Sequence, residues 1–259
     1  MQLSPSSSGG NAERYRELLL QRDQVEKEAF ETGLAYTREF GDEVCELFQM
    51  KIDCIALKKK ITYCQAAANR GEPVDPQAME ARIAAEMAAY NAQLAELLER
   101  RDLSRSGRPI TPYESQQIKT VYRRIAKLLH PDLSPLTEQI PELADLFQRA
   151  MTAYHCNDLR ELENCEELIH AVLESHDVDT DPPVIADLPA RIRELEKDID
   201  RITGTEPYLY RELLADAEKI LQRHTELENE LTQYRQYKQT LGAHLASITP
   251  KGASTWQIN

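Results

Sequence analysis

Glycine and aromatic residues are scarce in this chain of 259 residues. It contains 9 glycines, and Phe, Trp and Tyr together make up 6% of the sequence, whereas Ala, Leu, Glu, Gln and Arg recur throughout. That balance is typical of helical proteins. The composition therefore predicts an all-α fold of long helices rather than a fold rich in sheet.

Cysteine pairs, long apolar runs and excess positive charge are also absent. The five cysteines are odd in number and include no pair separated by two residues, a pattern unlike that of a disulfide framework or a zinc ribbon. No apolar run approaches the roughly 18 residues of a membrane span, and residues 1–10 lack the features of a signal peptide. The net charge of −13 disfavours nucleic acid and anionic lipid as partners. We therefore expect a cytoplasmic protein with a disordered tail over residues 1–10.

Turn-forming residues divide the remainder of the sequence into three helical regions. We predict an N-terminal helical hairpin over residues 11–101, a central region over 102–176 and a C-terminal coiled-coil hairpin over 187–248. A second disordered tail is expected over 249–259. The fold class is thus all-α, with long helical hairpins or coiled coil flanking a smaller helical hairpin.

The first long helix has two apolar faces, so it needs more than one neighbour. One face carries Phe40, Val44, Leu47, Cys54 and Ile61, and the other carries Phe48, Ile52 and Ile55.

The C-terminal region contains two segments with apolar residues alternately four and three apart, the spacing of a coiled coil. We expect the short segment to fold back on the long one. The remainder of the long segment would pair with the N-terminal hairpin or with a second copy of the chain. The seam positions are Leu188, Ile192, Leu195, Ile199 and Ile202 in the first segment, and Leu213, Ala217, Ile220, His224, Leu227, Leu231, Tyr234, Lys238, Leu241 and Leu245 in the second.

The central region shows clear helix boundaries. Thr111 can cap a helix with Glu114 answering three residues later, and Pro112 occupies the first helical position. Pro131 ends this helix near His130. A second amphipathic helix follows a polar loop, so the two helices should pack antiparallel with the loop at one end.

The first helix of this pair is basic, although the whole chain is acidic. The segment from Glu114 to Asp132, counting both ends, contains four basic residues and two acidic ones. A local charge opposite to that of the chain favours an acidic docking partner. The basic residues are Lys119, Arg123, Arg124 and Lys127.

The segment from Ile118 to Asp132, which reads IKTVYRRIAKLLHPD, resembles the second helix and the His-Pro-Asp turn of J domains. Downstream residues match the F…AY pattern of that family's third helix. The resemblance covers residues 115–158. The residues that would form the J-like core are Ile118, Tyr122, Ile125, Phe147, Ala153 and Tyr154.

The resemblance implies a co-chaperone that stimulates ATP hydrolysis by a DnaK-type chaperone. His130, Pro131 and Asp132, with the four basic residues, would bind that chaperone, and Asp132 would perturb an arginine network in its ATPase domain. The protein itself would be no enzyme and would need no cofactor or metal. Its flanking helices would deliver client proteins or localise the chaperone.

This chain departs from the family in several places. The family's first helix has no counterpart in residues 102–109, and the end of the helix predicted over 76–101 is the candidate for its place. The glycine/phenylalanine region and the cysteine-rich zinc domain are missing. In these respects the chain is similar to divergent bacterial J proteins flanked by coiled coils.

Two other interpretations remain open. The chain could be a structural adaptor whose coiled-coil seams are the working surface, including for a homo-oligomer. A metal site is the second alternative, although the irregular spacing of its candidate ligands favours packed or solvent-facing residues. Those candidates are His155, Cys156, Cys165, His170 and His176.

Overall fold

A computed structural model of the chain describes residues 6–106, 110–176 and 187–249. All regular structure in these ranges is helical, which confirms the all-α fold class. None of the helices in these ranges is long and apolar enough to cross a lipid bilayer. The nine helices are α1 (Ser6–Arg70), α2 (Pro76–Ser106), α3 (Pro112–Leu129), α4 (Leu136–Gln139), α5 (Pro141–His155), α6 (Leu159–His176), α7 (Leu188–Thr203), α8 (Tyr210–Leu214) and α9 (Ala217–Ile248).

The chain divides into two compact units, and each is built from distant parts of the sequence. Among the described residues, the first unit combines 6–33 with 110–176 and 187–211, and the second combines 34–106 with 212–249. Helix α1 therefore contributes its first part to one unit and the remainder to the other. This division differs from the three successive regions that the sequence predicts, because α1 supplies an apolar surface to both units.

The core of the first unit is formed by α3, α5 and α6. Helix α3 begins with the predicted capping box, in which the Thr111 hydroxyl accepts from the Glu114 N–H and the Glu114 carboxylate accepts from the Thr111 N–H. The apolar faces of α3 and α5 meet in one cluster, which α6 completes with Leu162, Cys165 and Ile169. We call the pair of helices that carries the His-Pro-Asp turn the α3–α5 hairpin.

A second cluster in this unit joins the start of α1 to α7. Leu18 and Leu19 of α1 and Leu195 and Ile199 of α7 are buried together, and Leu133 from the loop after α3 is buried with them. The first C-terminal seam therefore packs against α1. The predicted C-terminal hairpin over 187–248 is wrong in this respect, because α7 belongs to the first unit and α9 to the second.

In the second unit, the two apolar faces of α1 have separate neighbours, as the pattern predicts. The face with Ile52 packs against Met79, Ile83 and Met87 of α2. The face with Phe40 packs against α9. Burial of each stripe explains why this part of α1 is apolar on two sides.

The polar residues on the α9 seam pair with acidic side chains of α1. The Lys238 Nζ donates to Asp53 Oδ2 at 2.6 Å, and the His224 Nδ1 lies 2.7 Å from Glu43 Oε1. These pairs fix the register of α9 on α1, which is a common role of polar residues in an otherwise apolar seam.

The boundaries of the first tail and of the N-terminal hairpin also differ from the sequence prediction. Helix α1 begins at Ser6, so residues 6–10 are helical rather than part of a disordered tail. Helix α2 extends to Ser106, whereas the sequence predicts its end at residue 101. Residues 1–5 and 250–259, the remainder of the two predicted tails, lie outside the described residues.

Replacing Leu19 by Ala tests the pairing of α1 with α7. The Leu19 side chain is fully buried beside α7, so its truncation should cost about 2–5 kcal/mol locally. In hydrogen exchange read by mass spectrometry, peptides from α7 should exchange faster while those from α9 stay unchanged. The exposed Leu221→Ala is the control. Faster exchange in α9 with an unchanged α7 would contradict this pairing.

Candidate functional site: the His-Pro-Asp turn and its basic helix

The His-Pro-Asp turn directly follows α3, and its first residue organises it. His130 is the C-cap of the helix, and its carbonyl accepts from the N–H groups of Leu133 and Ser134 at 2.8 and 2.9 Å. Its ring Nδ1 accepts from the Asp132 N–H at 3.1 Å. Three hydrogen bonds to one residue thus close the turn, and Pro131 fixes the backbone between them.

The His130 side chain points into the first unit rather than toward solvent. Its exposed fraction is 4%, and its ring packs edge-on against Phe147, with the ring centroids 5.7 Å apart. Burial lowers its pKa, and the nearby charges of Asp23 and Asp132 only partly oppose that effect. His130 is therefore neutral near pH 7 and shapes the turn from inside.

The two ring nitrogens of His130 have different neighbours. Because Nδ1 accepts from the Asp132 N–H, a neutral ring carries its proton on Nε2. That nitrogen lies 3.9 Å from Asp23 Oδ2 and 3.2 Å from Arg22 Nη2. A neutral imidazole has one acceptor nitrogen. His130 therefore cannot accept hydrogen bonds from the Arg22 guanidinium and from the Asp132 N–H at the same time.

Pro131 and Asp132 are the exposed residues of the turn. The Asp132 side chain is 42% exposed, and both of its carboxylate oxygens are acceptors for a cation. Of the three residues predicted from the motif, only these two are accessible to a partner. His130 acts through the position of Asp132.

Helix α1 reaches the turn with a buried carboxylate that the sequence reasoning missed. Asp23 is 1% exposed, and it accepts from the Tyr122 hydroxyl at 2.7 Å and from Arg22 Nη2 at 2.9 Å. Burial and the Asp23 charge raise the pKa of Tyr122, so this hydroxyl remains a donor. The Tyr122 ring stacks on Tyr154 of α5, with the ring centroids 3.9 Å apart.

One helical turn further along α1, Lys27 is buried against α5. Its Nζ donates to the Tyr154 carbonyl at 2.7 Å and to Asn157 Oδ1 at 2.6 Å, and it pairs with Glu31 at 2.9 Å. Burial lowers its pKa, and the Glu31 carboxylate opposes that shift. The start of α1 therefore occupies the place beside the α3–α5 hairpin that the sequence suggested for the end of the helix over 76–101. That suggestion was wrong.

A sequence pattern could have revealed this packing. Tyr15, Leu19, Asp23 and Lys27 are each four residues apart, so two opposite charges continue an apolar stripe. Charges in line with such a stripe either lie at its exposed end or find buried partners, and here all four side chains are buried.

The four basic residues of α3 have different environments. Arg123 and Lys127 are exposed and line a groove of about 790 Å³ between α1 and α3, together with Arg16, Glu13 and Glu17 of α1. Lys119 is half-buried. Arg124 points elsewhere, because its guanidinium donates twice to the Glu166 carboxylate of α6, both at 2.6 Å. Arg124 is also exposed, but its charge is paired, so Arg123 and Lys127 carry the exposed basic charge of α3 that is not paired with Glu166.

The six residues predicted for the J-like core are buried in one cluster. The alternative metal ligands, by contrast, have separate surroundings: Cys165 is buried, Cys156 is exposed, and His155 packs edge-on against Phe30. Within the described ranges, no three His, Cys, Asp or Glu side chains are grouped as a metal site would require.

Comparison of the chain with models of protein families, with curated proteins and with solved structures found no match.

The lowered pKa of His130 predicts a loss of stability in mild acid. Because the unfolded histidine, with a pKa of about 6.5, binds a proton more readily than the folded one, the free energy of unfolding should fall as the pH drops below that value. The loss is about 1.4 kcal/mol for each pKa unit of lowering. His130→Gln, whose amide oxygen can still accept from Asp132, should reduce this loss.

The free energy of unfolding should be measured by urea titration of the whole chain at about pH 7.5 and at about pH 5.5. Some pH dependence should persist in the variant, because burial also lowers the pKa of His155. An equal loss of stability in wild type and variant would show that His130 is not the titrating group.

Proposed function

We propose that this chain is a J-domain-like co-chaperone that binds a DnaK-type chaperone in the cytoplasm and stimulates its ATP hydrolysis. The observation that carries the proposal is the exposed Asp132 carboxylate, held at the end of a basic helix by a turn that His130 closes. A carboxylate in that position can accept a charge-assisted hydrogen bond from a partner's arginine.

The rigidity of the turn supports a docking role. His130 closes the turn through its carbonyl and its ring, and Pro131 restricts the backbone before Asp132. A group held in one geometry before binding loses little conformational entropy when a partner arrives. The turn is therefore suited to present Asp132 to a structured surface.

The exposed charges of α3 indicate the sign of that surface. Arg123 and Lys127 are exposed on a helix whose charge opposes that of the chain, so an acidic partner surface would be attracted. Arg124 is already paired with Glu166 and contributes little to this attraction. The chemical step would belong to the chaperone, and this chain would act by binding.

The adaptor hypothesis is the second candidate, and it depends on free coiled-coil seams. In the structure, Leu195 and Ile199 of α7 are covered by α1 within the first unit, and Leu227 and Leu231 of α9 are covered by α1 within the second. A homo-oligomer formed through these same seams would require their release from α1. This occupation favours the co-chaperone proposal.

Single-turnover ATP hydrolysis by the DnaK-type chaperone of the same organism tests the proposal. Wild type should accelerate hydrolysis, and Asp132→Asn should remove at least about nine-tenths of the acceleration, since an amide cannot replace the charged acceptor. Arg123→Gln should raise the half-maximal concentration by roughly three- to tenfold.

Arg124→Gln is the matched control, because its guanidinium is held by Glu166, and it should change the half-maximal concentration by less than about twofold. Lack of stimulation by well-folded wild type would reject the co-chaperone proposal. Sedimentation of the same sample would then test the adaptor hypothesis by its oligomeric state.

A further inference from the structure

Asp132 has cationic neighbours in its own chain. The Arg22 Nη1 of α1 lies 3.9 Å from Asp132 Oδ2. The negative charge of Asp132 also contributes to the raised pKa of Arg191 of α7, although the hydrogen bond of Arg191 to Tyr15 contributes most. The carboxylate that a partner would bind therefore already faces the Arg22 guanidinium.

The Arg22 guanidinium is held in place by the buried Asp23 carboxylate. Its Nη2 donates to Asp23 Oδ1 at 2.9 Å, and its side chain is 23% exposed. Burial acts to lower its pKa, but the charges of Asp23, Glu26 and Asp132 outweigh burial, so the net shift is upward. The guanidinium is charged and fixed beside the turn, and it loses little further freedom by pairing with Asp132.

Helix α7 adds to this arrangement. Leu195 and Ile199 are buried in one cluster with Leu133, the residue after Asp132, so α7 packs beside the turn. The Arg191 Nη1 donates to the Tyr15 hydroxyl of α1 at 3.4 Å. Helix α7 and the start of α1 are thus held together next to the turn that carries Asp132.

We propose that Arg22 is an internal competitor for Asp132, so that a partner's arginine must displace it before the turn is engaged. This inference rests on the proposed co-chaperone function, and it adds a restraint built into the same site. The internal pair and the partner's pair use the same guanidinium–carboxylate chemistry. Because the internal contact is long and partly exposed, it weakens binding without preventing it, by roughly two- to fivefold.

Arg22→Gln tests the competition in the single-turnover assay. Removing the guanidinium should lower the half-maximal concentration about two- to fivefold and leave the maximal rate unchanged, because Asp132 itself is untouched. Arg14→Gln is the matched control, since Arg14 is also on α1 and forms an exposed pair with Glu196 at 3.2 Å. It should leave the half-maximal concentration unchanged.

A second substitution keeps the inference testable if Arg22→Gln folds poorly beside the buried Asp23. Arg22→Lys retains a positive charge near Asp23 but lacks the fork that reaches Asp23 and Asp132 together, so it should give a smaller decrease in the half-maximal concentration. Where Arg22→Gln is folded, the double variant Arg22→Gln, Asp132→Asn should stimulate no better than Asp132→Asn alone. A gain over Asp132→Asn would show that Arg22 acts elsewhere and would overturn the inference.

Failure of this inference differs from failure of the proposed function. Stimulation by wild type that disappears in Asp132→Asn, but is unchanged or weakened in folded Arg22→Gln and Arg22→Lys, would overturn the inference alone. No stimulation by wild type or by either Arg22 variant would overturn the co-chaperone proposal and the inference with it.

Discussion

The first unit depends on how two charges of α1 are buried against the α3–α5 hairpin. Asp23 and Lys27 are almost inaccessible to solvent. A buried charge without partners costs several kcal/mol. Each of these charges has hydrogen-bond partners: the Tyr122 hydroxyl and Arg22 for Asp23, and the Tyr154 carbonyl and Asn157 for Lys27. Only one register of α1 satisfies both residues. Displacing the helix by a turn would leave two charges in a low-dielectric environment without compensation.

That register also determines what the His-Pro-Asp turn presents. Because Asp23 is fixed, the neighbouring Arg22 guanidinium is placed between Asp23 and Asp132. His130 then fills the space beside them and closes the turn around Asp132. The exposed carboxylate is thus positioned by residues more than 100 positions earlier in the chain as well as by its own helix.

Local features of the sequence predict this site well, because they are determined over a few residues. The Thr111 cap, the end of α3 before Pro131 and the apolar face around Ile118 and Ile125 depend only on short-range hydrogen bonding and helical periodicity. The same reasoning predicts the two faces of α1 in the second unit.

The assembly of distant segments was less predictable. A seam such as that of α7 fits any apolar stripe of suitable length, so its spacing does not distinguish α1 from α9 as neighbour. Asp23 and Lys27 have the appearance of solvent-facing charges, since their partners, Tyr122 and Tyr154, lie 99 and 127 residues away. Likewise, nothing near Arg124 in the sequence indicates that its guanidinium is paired with Glu166, 42 residues away.

The sharing of α1 between the two units has a consequence for how the protein is made. On the ribosome α1 is completed before the helices that pack on it, and its contacts with the α3–α5 hairpin and with α9 form only when segments 99 to 189 residues later have emerged. Contacts of such long sequence separation form slowly, and apart from the face that α2 covers, the apolar stripes of α1 remain uncovered during that interval. The nascent chain is therefore most exposed to aggregation between the synthesis of α1 and that of α9.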